Sequence, residues 1–346
     1  MSPKVFKEIR GQQRAIVFLR GIITNERVAS AYLFTGIQGT GKATTAVAFA
    51  LLLNCMDPVA EEACTTCESC KKILDGNHPD LLIIEPDQEK KVIRIDQIRE
   101  IERYLAFHPV FGRYRIIIID PAENMTDEAA NAFLKTLEEP PPRTVFILNV
   151  RETGELPPTI VSRCQKVPFK PLPTKVIKDW LVNEGNVPRE RANIVARLSE
   201  GSLGRAIRLA NDELFAERAQ WLAMLHRVVS GSLDTLLDLA QECSGVDKRA
   251  AGSKGSKDSR IALMLGIWKS WYRDLLLIKL EGSWDLVFNS DFGSHLKEAS
   301  GLYSIEALIR SLAVLSRAER DLMYNKNLLF LIERSLIGLK VAGGVR

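Results

Sequence analysis

Ala31-Tyr32-Leu33-Phe34-Thr35 runs directly into Gly36-Ile37-Gln38-Gly39-Thr40-Gly41-Lys42-Ala43-Thr44, and this stretch decides the fold. A short apolar strand enters a glycine-rich loop, and a helical pattern, Thr44–Leu53, follows. The spacing Gly36-x4-Gly41-Lys42 is that of a Walker A phosphate loop. Glycines let the backbone curl until successive N–H groups face one point, and the positive end of the next helix adds to the attraction for phosphate. Lys42 is placed to reach the outer phosphates. A plain glycine-rich turn is the bland alternative, and the strand before and helix after argue against it.

The loop departs from its pattern at one position. The residue after the lysine normally supplies the hydroxyl that holds Mg²⁺, and here it is Ala43. Thr44 carries a hydroxyl, but one helical step turns it about 100° away. Further on, Tyr114-Arg115-Ile116-Ile117-Ile118-Ile119-Asp120 reads as an apolar strand ending in an acid suited to a nucleotide-bound metal, a Walker B pattern. An aspartate before a proline also fits a simple turn. ATPases of this build place a glutamate next, to polarise the attacking water. Here Pro121 follows, and Glu123, three positions on, is not expected to project to the same spot. With two catalytic parts missing independently, no hydrolysis is expected.

Working outward, Ala31–Phe34, Leu81–Ile84, Arg115–Asp120, Val145–Asn149 and Gln165–Pro168 read as strands, with helical patterns such as Gln12–Thr24 and Asp127–Leu137 between them. Strands separated by helices imply a mostly parallel sheet covered on both faces, an α/β domain over residues 1–170. Pro168, Pro171 and Pro173 then make a stiff connector. Residues 171–210 read as a small helical lid: Thr174–Asn183, a helix opened by Pro188 and closed by Gly201, and Gly204–Ala210. Residues 211–346 read as an all-helical domain, interrupted at 247–258 by a Lys-, Gly- and Ser-rich stretch with the pattern of a mobile loop.

Bulk properties narrow the class. At 346 residues the chain suits two or three domains, and 46% hydrophobic with 26% charged residues is ordinary for a soluble globular protein. The net charge of +4 is spread along the length, without the concentrated basic face of a dedicated nucleic-acid binder. The first five residues lack the apolar core of a signal peptide, and every apolar run is far below the roughly 18 residues that span a bilayer. A cytoplasmic location is expected.

Cys55, Cys64, Cys67 and Cys70 are spaced C-x8-C-x2-C-x2-C just after the phosphate-loop helix. Four thiolates so spaced match a closed, tetrahedral structural Zn²⁺ site. An iron–sulfur cluster or a redox pair are the alternatives, and nothing nearby suggests their chemistry. His78 follows as a competing ligand, but four cysteines already complete the shell. Cys164 and Cys243 read as packed thiols.

Further stretches fall into one pattern with these: Asn131-Ala132-Phe133-Leu134-Lys135-Thr136-Leu137-Glu138-Glu139-Pro140-Pro141, Val161-Ser162-Arg163-Cys164 and Gly201-Ser202-Leu203-Gly204-Arg205-Ala206. Together they resemble the clamp-loader branch of the AAA+ ATPases, over residues 1–210; the remainder matches only in length and helicity. The resemblance implies an AAA+ P-loop domain with a zinc knuckle, a small helical lid, and a C-terminal helical collar that joins a pentamer. It implies that Arg163 is an arginine finger acting in trans on a neighbouring subunit's ATP. An always-charged planar fork suits that task. The bland alternative is a surface arginine after a turn.

Asn149 falls at the family's sensor 1 position and Arg205 at sensor 2. With Gly36, Gly39, Gly41, Lys42, Thr44 and Asp120 they outline a vestigial nucleotide site, where ATP/Mg²⁺ binding is doubtful. The partners implied are gamma/tau ATPase subunits, a delta subunit, a sliding clamp and primer–template DNA. The function implied is a non-hydrolysing accessory subunit of the DNA polymerase III holoenzyme. An active gamma/tau-like ATPase is the first alternative, opposed by Ala43, Pro121 and the chain's length. A DNA-binding zinc module is the second, opposed by the lack of arginine or aromatic residues between the cysteines.

Overall fold

The computed structural model describes residues 5–87, 91–106, 108–245, 258–323 and 327–343. Five strands form: β1 Ala31–Thr35, β2 Leu81–Ile84, β3 Arg115–Ile119, β4 Thr144–Val150 and β5 Gln165–Pro168. They make one all-parallel sheet in the order β2-β3-β4-β1-β5. Each matches a strand read from the sequence, with ends moved by no more than one residue. Parallel neighbours need crossover connections. Helix α1 Gln13–Thr24 precedes β1, and the crossovers contain α2 Lys42–Asn54, α3 Glu68–Leu74, α4 Ile95–Leu105, α5 Asp127–Glu138 and α6 Pro158–Val161.

The four consecutive isoleucines of β3 show why the sheet is doubly covered. Successive strand side chains point to opposite faces. Ile116 and Ile118 join Leu19 of α1 and Phe49 of α2 in one core, while Ile117 and Ile119 join Ile101 of α4 and Phe133 of α5 in the other. All four isoleucines are at most 2% exposed. Burying each contributes roughly 1.5–3 kcal/mol. The edge strand β2, by contrast, is largely half-buried or exposed.

The rest of the chain is helical: α7 Thr174–Asn183, α8 Arg189–Leu198, α9 Leu203–Leu209, α10 Asp212–Ser230, α11 Leu233–Gly245, α12 Asp258–Lys279, α13 Gly293–Leu302, α14 Ile305–Met323 and α15 Leu328–Gly343. Chain packing divides into two compact units, Met1–Ile177 with Gly201–Gly204, and Lys178–Glu200 with Arg205–Arg346. In the second unit Trp221 and Trp268 are buried, and Trp268 Nε1 donates to the Trp221 carbonyl at 2.7 Å. Arg218, 2% exposed, donates to Asp291 at 2.6 and 2.9 Å and to Asn289 Oδ1 at 2.6 Å. Asn289 in turn donates through Nδ2 to the buried Asp274 at 2.7 Å. Buried charges persist only when paired this way. The polar stretch 247–258 lies outside the described residues except for Asp258, which opens α12. Among the described residues, no helix is long and apolar enough to cross a membrane.

Candidate functional site

The phosphate loop leaves the C-terminal edge of β1 and ends at α2. Gly36, Gly39 and Gly41 have φ of 148°, 79° and 99°, conformations that glycine adopts without strain. They also admit close neighbours. A Cβ on Gly36 would lie 2.2 Å from the Phe169 carbonyl oxygen, and one on Gly39 would lie 2.3 Å from Ser202 Oγ. The loop's carbonyls are tied to other stretches of chain. Ser202 Oγ donates to Gln38 O at 2.8 Å, Gly204 N to Gly39 O at 3.0 Å, and Gln12 Nε2 to Thr40 O at 3.2 Å. Lys42, 9% exposed, turns its ammonium back onto the loop, donating to Gly36 O and to Ile37 O at 3.2 Å. Thr44 sits half-buried in the first turn of α2, next to an exposed Ala43.

Sheet order puts the other expected residues at the same edge. Strand β4 lies between β1 and β3, and its register aligns Phe34 with Asn149 and Ile119 with Leu148. Asn149 therefore stands beside Asp120, which follows β3 and whose N–H donates to Ile84 O at 3.0 Å. Asn149 is wholly buried, and its amide O and N have no hydrogen bond of good geometry among the described residues. Burial raises the Asp120 pKa above the usual carboxylate range, against the opposing pull of the Asn149 amide and of Lys42.

Glu123 is turned inward, and it is among the charges that act on Lys42. Burial raises the pKa of Glu123 and repulsion from Glu155 adds to it, with Arg151 and Lys42 opposing. Burial lowers the Lys42 pKa, while Asp120, Glu123 and Glu155 hold it up. Arg151 and Glu155, which form an ion pair, were not singled out from sequence. Their spacing of four residues was the available signal, but the short turn Thr153–Glu155 that carries Glu155 is not readable as one.

Arg163 follows the short α6. Its NH2 donates to Glu138 Oε1 at 2.6 Å and its NH1 to Thr159 O at 2.8 Å, with 37% of the side chain exposed. Arg205 belongs to the second unit. There it pairs with Glu200 Oε2 at 3.0 Å, and its guanidinium lies where a Cβ on Gly266 would come within 2.1 Å.

The four sulfurs of Cys55, Cys64, Cys67 and Cys70 lie within 4.8 Å of one another. A tetrahedral ion with sulfur ligands at about 2.3 Å requires sulfur–sulfur edges of about 3.8 Å, so the group fits a metal ion. Backbone N–H groups support the sulfurs: Cys64 N donates to Cys55 Sγ at 3.3 Å, Cys67 N to Cys64 Sγ at 3.3 Å, and Cys70 N to Cys67 Sγ at 3.4 Å. Burial pushes the Cys55 and Cys70 thiols up. At Cys64 the same effect is outweighed by N–H donors from Cys67 and Thr66, which bring it down to about 6. His78 is not in this group: Nδ1 accepts from Asp80 N at 3.1 Å, which leaves Nε2 as the donor toward Ser69 Oγ at 3.1 Å. Asp80, wholly buried, accepts from the N–H groups of Val110, Phe111 and Gly112 at 2.8, 2.7 and 2.6 Å.

Comparison with known proteins gives the family. The family model described as DNA polymerase III, delta subunit, matches residues 11–173. The DNA polymerase III subunit delta' of Bacillus subtilis (strain 168) is 30% identical over 329 residues, 95% of this chain and 96% of that protein. The chain belongs to the DNA polymerase III delta-prime family. Its kinship extends to DNA polymerase III subunit tau/gamma of Haemophilus influenzae, 32% identical over 278 residues, which are 77% of this chain but 39% of that protein. The delta-prime match thus spans nearly all of both proteins, whereas this tau/gamma match covers 39% of the longer protein. Among solved structures, a DNA polymerase III gamma subunit-related protein of Thermotoga maritima shares 20% identity at a TM-score of 0.47, covering 95% of this chain and 99% of that one.

Proposed function

We propose that the chain is a delta-prime-like clamp-loader subunit of the DNA polymerase III holoenzyme that does not hydrolyse ATP itself. In this reading it helps load a sliding clamp onto primer–template DNA, beside gamma/tau ATPase subunits and a delta subunit. The observation that carries it is the paired defect in a family member's own site: Lys42 is followed by Ala43, and Asp120 by Pro121. Without the hydroxyl, Mg²⁺ loses a ligand, and without the adjacent glutamate the water loses its base. Arg163 supplies what the chain still offers to the reaction, an arginine finger to the neighbouring ATP. Its exposure, and its place after the last turn of α6, support that role. Residues 171–210 act as the lid and 211–346 as the collar. The four cysteines hold a structural Zn²⁺, for which thiolate ligands and a closed shell are the support.

The test is ATP turnover. Alone, the purified chain shows none; magnesium-dependent turnover that Lys42→Ala abolishes would mean an active gamma/tau-like ATPase instead. Reconstituted with gamma/tau and delta subunits, Arg163→Ala folds normally and slows hydrolysis at the site it reaches by about 10³. The summed rate falls less, because other sites still turn over. Unchanged DNA-stimulated turnover and clamp loading would remove the trans role.

A further inference from the structure

We propose that Glu138 is the positioning residue of Arg163, an inference that rests on the trans role just described. Glu138 is the last residue of α5, and its Oε1 takes the Arg163 NH2 at 2.6 Å while the Thr159 carbonyl takes NH1 at 2.8 Å. Two acceptors from two different elements fix a planar fork in both direction and roll. A guanidinium carries five N–H donors, so others stay available for a phosphate presented from outside.

Stability does not account for the pair. Its side chains are 37% and 50% exposed, and ion pairs so exposed contribute little. The location is unfavourable as well. Glu138 and Glu139 sit at the C-terminal end of α5, where the helix dipole repels carboxylates and favours cations. A residue that breaks a local rule without a stabilising return marks a functional position. Its neighbours hold it still: Leu137 and Phe133 of the same helix are buried against the sheet, and Phe133 packs edge-on to Phe146 of β4 at 5.2 Å. A side chain on the end of an anchored helix is the kind of support that keeps a catalytic group within tight tolerance.

The experiment compares Glu138→Ala, Glu138→Gln, Arg163→Ala and the double variant Glu138→Ala/Arg163→Ala in the complex reconstituted with gamma/tau and delta subunits. Turnover is measured against ATP concentration, and each chain's unfolding midpoint is recorded. Glu138→Ala is expected to cut the Arg163-dependent part of kcat roughly tenfold, since a misplaced group loses its near-attack geometry. KM for ATP and the unfolding midpoint stay put. Glu138→Gln keeps an acceptor oxygen and recovers most of the rate. The double variant is no slower than Arg163→Ala alone, because Glu138 acts only through Arg163.

Arg163→Ala slowing turnover while Glu138→Ala leaves it unchanged or raises it would overturn this inference and spare the finger. So would a Glu138→Ala loss that persists in the Arg163→Ala background. An Arg163→Ala protein with full activity would end the trans role and this inference with it.

Discussion

Burial opposes a negative charge on Asp120, and no magnesium hydroxyl stands at position 43 to share a metal with it. A carboxyl whose folded pKa is raised contributes stability that is present at low pH and lost as pH rises through that pKa. Asp120→Asn removes the penalty. We expect the variant to unfold at a higher temperature than the parent at neutral pH, with the gap closing toward about pH 4, where an ordinary carboxyl protonates. A thermal unfolding series across that range checks both the sign and the window. The position was legible in the sequence: an apolar strand ending in an acid is a local pattern, and so was the phosphate loop. Glu123, Arg151 and Glu155 were not legible, because their meeting with Lys42 depends on which strands adjoin.

At the scale of single elements, Ile116 to Ile119 were legible because four consecutive β-branched apolar residues favour a strand covered on both sides. The cysteine insertion was legible as a metal-binding spacing, whereas its turn was not. Val59 and Glu62 pair across a tight reversal whose central residues, Ala60 and Glu61, have φ of 50° and 60°. Tight hairpin turns of that hand favour asparagine and glycine, and neither residue is present, so the sequence carried no turn signal. Replacing Ala60→Asn together with Glu61→Gly should raise stability by about 1 kcal/mol, because relief of the left-handed backbone outweighs the extra unfolded-state freedom of glycine, measured by urea unfolding of the metal-loaded chain. A loss would show that the Glu61 side chain, which accepts from Thr24 Oγ1 at 3.1 Å, matters more than the backbone.

At the scale of the whole molecule, the cysteine insertion reaches back to the start of the chain. Glu62 accepts from the N–H groups of Phe6 and Lys7 at 3.0 Å each and pairs with Arg20 of α1. Chelating the metal, or Cys67→Ser, is expected to lower the unfolding midpoint and to unprotect the Phe6 and Lys7 amides in hydrogen exchange. Protection unchanged after verified metal loss would mean that the small core of Val5, Leu51, Ala63 and Ile73 holds the segment unaided. The all-helical character of residues beyond the connector was read from periodicity. How Arg218, Asn289 and Asp274 assemble was not, because those partners lie far apart in sequence. The tied phosphate loop carries a last consequence. Its glycines are held by neighbours as well as by ligand chemistry: a methyl group on Gly39 would collide with Ser202 and crowd Gly204. Gly39→Ala should therefore unfold more readily in buffer free of nucleotide, by a few degrees in a melting experiment. Whatever the loop binds, its shape is also demanded by the chain packed around it, so the mounting persists because the frame is bolted to it.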